Sequence, residues 1–226
     1  MKLIDLQGRR VLITQAQDFM GPALARVFGA LGATVIADAR ALDAPAAAAK
    51  VVQEAGDVDV LIAHLALPAP STAVAAVDDE EWRQVFAHMV DPLPRLARAV
   101  LPQFTARGVG RIVVIGSAAA LRGQKRTSSY SAARGAQLGW VRAAGVELAR
   151  QNVQLNAIAQ NFVDNPTYFP PEVQANPAFQ ERLKREVPLG RLVSGDEDAL
   201  FAAYLASDAA ACFVGQVFPV CGGWVG

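Results

Sequence analysis

The sequence predicts an α/β protein built on one doubly wound, parallel sheet of six strands with helices on both faces. Six short apolar runs alternate with helical patterns along the chain. Apolar runs of this length are typical of strands buried on both faces, and strands that are separated by helices pair in parallel. The predicted strands are RVLIT (10–14), ATVIA (33–37), DVLIA (59–63), RIVVIGS (111–117), VQLNAIA (153–159) and QVFPV (216–220).

Helical stretches fill the intervals between these strands. Pro92, Pro94 and Pro102 lie within the third stretch, and because proline removes a helical hydrogen bond we expect a kink or a break there. The alanine-rich segment 41–50 is expected to form a short helix, since alanine is the best helix former. The predicted helical stretches are 21–31, 45–55, 78–107, 128–150, 171–187 and 195–207.

The interval between the second and third strands limits the size of the sheet. Only about twenty residues separate Asp38 from Asp59, which is enough for one helix but too few for a further strand with its crossover helix. We therefore expect six strands rather than seven, with 33–37 at one edge. No linker-like tract or internal repeat interrupts the pattern, so residues 1–226 are predicted to form one domain.

Composition excludes several classes of partner. Lysine plus arginine and aspartate plus glutamate each total 21, so no net basic field attracts nucleic acid. No apolar tract is long enough to cross a membrane and the first apolar run is too short for a signal peptide, so we expect a cytoplasmic protein. Cys212, Cys221, His64 and His88 form no metal-ligand pattern; the thiols are predicted to be reduced and structural, and the histidines to lie at the core edge or surface.

Ser117, Tyr130 and Arg134 form the first candidate site. Residues four apart share one face of a helix, so the Tyr130 phenol and the Arg134 guanidinium can lie side by side, and Ser117 ends the fourth predicted strand. A neighbouring cation favours the phenolate, while arginine keeps its own proton. The group suits removal of a proton from an alcohol, with Tyr130 as base and Ser117 as hydrogen-bond donor. The alternative is a surface Tyr–Arg pair beside a serine at a strand end.

The loop after the first strand bears on nucleotide binding. A dinucleotide-binding loop needs several glycines so that backbone amides approach the pyrophosphate, and Thr14–Gly21 retains only Gly21. Phe19 would project its ring into the space of a cofactor phosphate or ribose; alternatively it packs inward against the first helix. Asp38, just past the second strand, is the best argument for NAD because an acid there binds the adenosine ribose, although it is also an ordinary capping or loop residue.

These motifs resemble the short-chain dehydrogenase/reductase superfamily, with its Rossmann-like fold, across nearly the whole chain. Two departures are similar to the halohydrin dehalogenases, because Phe19 stands where dehydrogenases have a glycine-rich loop and Arg134 replaces their lysine. The resemblance implies a dehalogenase that needs no cofactor. In such an enzyme Ser117 and Tyr130 would bind the substrate hydroxyl, with Tyr130 as the base, and Arg134 would promote ionisation of the tyrosine.

The resemblance also implies a halide site in the turn after the fifth strand. There the Asn161 side chain and the backbone amides of Phe162 and Val163 are candidate donors, since a nest of amides holds an anion. Phe19 and Tyr168 would present polarised ring edges to it. The implied reaction converts vicinal haloalcohols into epoxides, and its reverse opens epoxides with halide, azide, cyanide or nitrite. Superfamily members commonly pair through the two long middle helices, which implies a homodimer or homotetramer.

Part of the family pattern is missing. Dehydrogenases usually have Asn-Asn-Ala-Gly after the third strand, and dehalogenases can carry an acid there, whereas this chain has HLAL (64–67). The asparagine that extends the dehydrogenase proton relay is replaced near Met89. The main alternative function, supported by Asp38 and by the superfamily scaffold, is a divergent NAD(P)-dependent dehydrogenase or reductase. A third hypothesis is a non-catalytic binding or regulatory protein, against which the complete Ser-Tyr-Arg group argues.

Overall fold

A parallel six-stranded sheet forms the centre of the computed structural model, which describes residues 4–225. The strand order is β2-β1-β3-β4-β5-β6, so the sheet grows first to one side of β1 and then to the other. This confirms the predicted six-stranded α/β sheet with β2 at one edge. The strands are β1 (Arg10–Ile13), β2 (Thr34–Ala37), β3 (Val60–His64), β4 (Gly110–Ser117), β5 (Val153–Gln160) and β6 (Val217–Val220).

Helices cover both faces of the sheet, as predicted. Alternate residues of a strand point to opposite faces, and because both faces are covered most strand residues are apolar. The α-helices are α1 (Gly21–Ala30), α2 (Ala47–Ala55), α3 (Asp79–Met89), α4 (Pro92–Arg107), α5 (Ser128–Leu148), α6 (Pro171–Gln174), α7 (Pro177–Glu186) and α8 (Gly195–Ala206). Buried side chains of α1 and α8 form one core with the sheet, and those of α2, α4 and α5 form another.

The predicted helical stretches break at prolines. The third stretch ends at Met89 and resumes at Pro92, in the first turn of α4, where a missing N–H breaks no helical bond. The 171–187 stretch divides before Pro177. The prediction of a helix over all of 41–50 is wrong for its first half, since α2 begins only at Ala47. Pro45 accounts for this, because the residue before a proline disfavours helical backbone.

The structure also bears on the expectations for the membrane, metals and thiols. No helix within residues 4–225 is long and apolar enough to cross a membrane. The same residues contain no group of three or more potential ligands that could hold a metal ion. Cys212 and Cys221 are free thiols, but only Cys221 is buried, so a structural role in the core applies to that one alone.

Candidate active site

Ser117, Tyr130 and Arg134 meet in one cavity of about 330 Å³. Ser117 is the last residue of β4 and pairs in register with Gln160 of β5, while Tyr130 and Arg134 lie one turn apart on α5. All three side chains are buried. The Ser117 Oγ accepts a hydrogen bond from the Ala119 N–H at 3.2 Å, which fixes the hydroxyl at the strand end and leaves its proton available to another acceptor.

Carbonyl oxygens hold the guanidinium of Arg134 beside the Tyr130 ring. Its Nη1 donates to the Leu65 carbonyl at 3.0 Å, to the Ile115 carbonyl at 3.1 Å and to Gln137 Oε1 at 3.0 Å. The guanidinium carbon lies 5.1 Å from the centroid of the Tyr130 ring. Within residues 4–225 Arg134 forms no salt bridge, and its Nε is buried without a hydrogen-bond partner. A positive charge that no carboxylate neutralises therefore lies beside the phenol.

Gln137 is a site residue that the sequence reasoning missed. It is fully buried, three residues after Arg134 on α5. Its Oε1 accepts from Arg134, and its Nε2 donates to the Met89 carbonyl at 2.6 Å. The amide therefore fixes the guanidinium from the side of α3. The available signal was the spacing, because residues 130, 134 and 137 share one helical face.

The turn after β5 lines the cavity and includes a side-chain amide nitrogen that has no hydrogen-bond partner. Phe162 has a positive φ of 52°, and its carbonyl accepts from the Val193 N–H at 2.9 Å. Its own N–H donates to Asn161 Oδ1 at 3.0 Å, so this predicted donor already has a partner. Asn161 Nδ2, in contrast, is buried without a hydrogen-bond partner. Asn161, Phe162 and Val163 all line the cavity, and the free amide nitrogen is a donor that an anion could satisfy.

Phe19 and Tyr168 both line the cavity, and their rings are in contact, with centroids 5.3 Å apart. The Tyr168 hydroxyl accepts from the Ala69 N–H at 2.9 Å and donates to the Leu67 carbonyl at 3.3 Å. Burial, together with the charge that a Tyr130 phenolate would place nearby, raises the pKa of Tyr168 to about 12. Tyr168 therefore stays neutral where Tyr130 would react.

His64 lines the same cavity, although the sequence reasoning set it aside. Its ring lies edge-on to Phe19 at 6.2 Å, and Nδ1 lies 3.1 Å from the Gln15 carbonyl. Burial, and secondly the charge of Arg134, lowers the pKa of His64 to about 4. The imidazole is therefore neutral at physiological pH, in keeping with the expectation of a core-edge residue. His88 lies outside the cavity lining and is partly exposed.

The loop after β1 does not fit the pyrophosphate of a dinucleotide. A Cβ on Gly21 would lie 2.4 Å from the Ala16 carbonyl group, so this glycine serves close packing within the loop. Gln15 Oε1 accepts from the Ala66 N–H at 2.6 Å and closes the loop onto the end of β3. Phe19 is buried with a positive φ of 48° and directs its ring toward His64. Side chains thus occupy the places where glycines would let a phosphate approach.

Asp38 does not present a free carboxylate for a ribose. One oxygen accepts from the Arg40 backbone N–H at 2.9 Å, and the other accepts from the Arg40 guanidinium, with Nε at 2.8 Å. Arg40 also pairs with Glu54 at 2.6 Å. These bonds favour the interpretation of Asp38 as a loop residue.

The remaining cavity wall is aromatic and polar. Within the described residues, 4–225, no aspartate or glutamate lines it, so the basic side chains face it without an opposing acid. The other lining residues include Gln124, Gln160, Asn165, Phe169, Val173, Phe179 and Arg182.

The sheet order and the Ser-Tyr-Arg group define the class as an α/β protein of the short-chain dehydrogenase/reductase type. A family model described as Enoyl-(Acyl carrier protein) reductase matches residues 2–225, and the chain belongs to this family. It is 32% identical over 248 residues to the 3-oxoacyl-[acyl-carrier-protein] reductase FabG of Pseudomonas aeruginosa, with 97% of this chain and 98% of that protein covered.

Solved structures of two dehalogenating proteins are also similar. One, described as a dehalogenation enzyme, is 34% identical, covers 97% of this chain and 99% of its own, and superimposes with a TM-score of 0.91. The other is a halohydrin dehalogenase (HheC) bound to ethyl (2S)-oxiran-2-ylacetate; it is 26% identical, covers 95% and 96% of the two chains, and has a TM-score of 0.88. The resemblance to halohydrin dehalogenases is confirmed, within a family that also contains reductases.

Proposed function

We propose that this chain is a halohydrin dehalogenase, which converts vicinal haloalcohols into epoxides without a nicotinamide. The observation that carries the proposal is Asn161, which lines the same cavity as Ser117, Tyr130 and Arg134 and whose Nδ2 is buried without a hydrogen-bond partner. Ser117 and Tyr130 can bind and deprotonate a hydroxyl in this cavity, and Asn161 offers a donor to an anion. A reaction that turns an alcohol into an alkoxide and releases a halide needs both.

Ser117 and Tyr130 handle the hydroxyl. The Ser117 hydroxyl donates to the substrate oxygen, and the Tyr130 phenolate removes the proton from that oxygen. The Arg134 guanidinium, fixed by carbonyl oxygens and Gln137 Oε1, places a positive charge beside the Tyr130 ring and does not itself carry the proton. After turnover Tyr130 returns its proton to solvent.

The turn at Asn161 receives the leaving group. The alkoxide oxygen attacks the neighbouring carbon from the side opposite the halogen; the carbon–oxygen bond forms as the carbon–halogen bond breaks, and the halide leaves with the bonding electron pair. Asn161 Nδ2 and the Val163 backbone amide are the proposed donors to the halide. The Phe162 N–H already donates to Asn161 Oδ1, so it can donate to the halide only when that hydrogen bond breaks. The ring edges of Phe19 and Tyr168 complete the anion site.

The reverse reaction extends the activity to ring opening. By microscopic reversibility the same site should open epoxides with halide, while Tyr130 returns a proton to the oxygen. Azide, cyanide and nitrite are small anions that fit a halide site, so we expect them to attack the epoxide in the same way. HheC in complex with an epoxide is a small-molecule precedent among the similar structures.

We also propose a cytoplasmic homodimer or homotetramer that pairs through α4 and α5.

The second candidate is an NAD(P)-dependent reductase, favoured by the sequence similarity to FabG. Against it stand the closed loop at Gln15–Gly21 and the engagement of Asp38 by Arg40. Arg134 is a further difficulty, because lysine ordinarily binds the nicotinamide ribose in the dehydrogenases that this chain resembles.

One assay separates the two candidates. Purified protein without nucleotide should release bromide or chloride from a small vicinal haloalcohol and form the epoxide, and Tyr130→Phe should not. Halide is measured by ion chromatography and epoxide by gas chromatography. Turnover that appears only with NADH or NADPH, with a carbonyl compound as substrate, would establish the reductase instead.

A further inference from the structure

Asp198 is an acidic residue that is buried in the core, outside the proposed reacting groups. It lies in the first turns of α8 and is completely buried. Its Oδ2 accepts from Gln160 Nε2 at 3.2 Å, and its Oδ1 is buried without a hydrogen-bond partner. A buried carboxylate with half of its acceptor capacity unused is unfavourable, so the carboxyl favours its neutral, protonated form.

Gln160 connects this carboxyl to the proposed anion site. It is the last residue of β5, the register partner of Ser117, and the neighbour of Asn161. Gln160 lines the cavity, and its side-chain amide donates to Asp198. One residue, Gln160, therefore belongs to the cavity lining and is hydrogen-bonded to the Asp198 carboxyl.

The other charged groups near α8 are engaged elsewhere. α8 packs against α1, β4 and β5, and β5 (VQLNAIAQ) has no charged residue. Charged residues of α8, α1, β4 and the following turn are paired with one another or with Arg191, in the salt bridges Arg26–Asp196, Arg191–Glu197 and Arg111–Asp208. Burial alone raises the pKa of Asp198 to about 7. On the cavity side the titratable groups are His64, Tyr130, Tyr168, Arg134 and Arg182.

We propose that Asp198 is a positioning residue of the anion site, whose protonated carboxyl behind Gln160 permits tight halide binding and whose ionisation weakens it. The inference rests on the proposed dehalogenase function and adds a control by pH. An ionised Asp198 places a negative charge behind the turn that holds the halide, in a region with little water to screen it. At a separation on the order of 10 Å and an effective dielectric constant near 20, this repulsion lowers halide affinity on the order of tenfold.

Bromide titration by calorimetry tests the inference, with Tyr130→Phe as the background so that the phenol does not titrate. In this background bromide affinity should fall on the order of tenfold between about pH 6 and pH 8.5. The double variant Tyr130→Phe/Asp198→Asn should keep the low-pH affinity throughout. As a matched control, Asp196→Asn removes an exposed carboxylate of the same helix and should leave the pH dependence unchanged.

Gln160→Leu provides a second variant should Asp198→Asn fold poorly. Among residues 4–225 the Gln160 amide is the one donor that reaches the Asp198 carboxyl, and its loss should move the midpoint of the affinity change to higher pH. Bromide affinity that is independent of pH, or a pH dependence that survives Asp198→Asn, would overturn the inference alone. Absence of bromide binding at every pH would instead count against the proposed dehalogenase function, and the inference would fall with it.

Discussion

Replacing Asp198 by asparagine is expected to stabilise the folded protein at neutral and alkaline pH. Burial raises the pKa of this carboxyl from 3.8 to about 7, so between these values the folded state holds a proton that the unfolded state has lost. The free energy of unfolding therefore falls as the pH rises, by about 1.4 kcal/mol per pH unit. Over the whole interval the loss is on the order of 4 kcal/mol, which asparagine, having no charge to bury, avoids.

His64 opposes this effect at lower pH. Burial, followed by the charge of Arg134, lowers its pKa from 6.5 to about 4, so the unfolded state binds a proton that the folded state does not. The contribution of neutral His64 to the free energy of unfolding is fully present above pH 6.5. It falls by about 3 kcal/mol as the pH falls toward 4. In the wild type the two residues offset each other over this range. In Asp198→Asn the effect of His64 is no longer offset, so the free energy of unfolding should rise with pH and then level off.

Urea unfolding measures these changes, followed by tryptophan fluorescence at one fixed protein concentration from about pH 4.5 to pH 8.5. The stability difference between Asp198→Asn and wild type should be small at the acidic end and grow to a few kcal/mol at the alkaline end. Asp196→Asn, an exposed neighbour on α8, serves as the control and should show no such growth. A difference that stays constant with pH would refute the assignment of a buried, proton-holding Asp198.

Four further predictions concern the proposed reaction. Tyr130→Phe should abolish halide release while bromide binding, measured by calorimetry, persists. Asn161→Ala should weaken bromide binding by about 1–3 kcal/mol, and Asn161→Asp, which puts an anionic oxygen in place of the free amide, should weaken it further. Gln137→Leu should lower kcat more than it changes KM, because it frees the Arg134 guanidinium without touching substrate; an unchanged kcat would contradict this. Titration with NADH or NADPH should give no Kd tighter than roughly millimolar, about −4 kcal/mol.

The strands and the extent of the sheet could be predicted because they follow from local pattern. A strand buried on both faces is predominantly apolar, and the short interval between Asp38 and Asp59 limits the number of strands whatever the packing. The helix boundaries that failed, near Ala47 and before Pro177, depend on how a proline constrains its neighbours. Those constraints are local too, but alanine content outweighed them in the prediction for 41–50.

The candidate site likewise contains residues that could be predicted from local pattern and residues that could not. Ser117, Tyr130 and Arg134 were accessible from spacing, since a strand end and one helical turn place them together. Gln160 and Asp198 were not, because their contact joins the end of β5 to α8 across 38 residues and depends on side-chain packing. The sequence left two roles open for Asp38, a ribose ligand or a capping or loop residue. Its hydrogen bond to Arg40 could have been predicted, because the two residues are only two positions apart.

The charge of Arg134 explains how the segment HLAL (64–67), which lacks the acid that dehalogenases can carry, is compatible with the proposed reaction. A carboxylate there would pair with the guanidinium and cancel its charge. The Leu65 carbonyl at 3.0 Å satisfies a hydrogen bond instead and leaves the charge in place. A buried cation without a counter-ion is unfavourable, and an anion entering the cavity relieves that penalty. The absence of an acid at this position thus favours the anionic leaving group of the proposed reaction, while the proton must leave Tyr130 by a route that uses no carboxylate there.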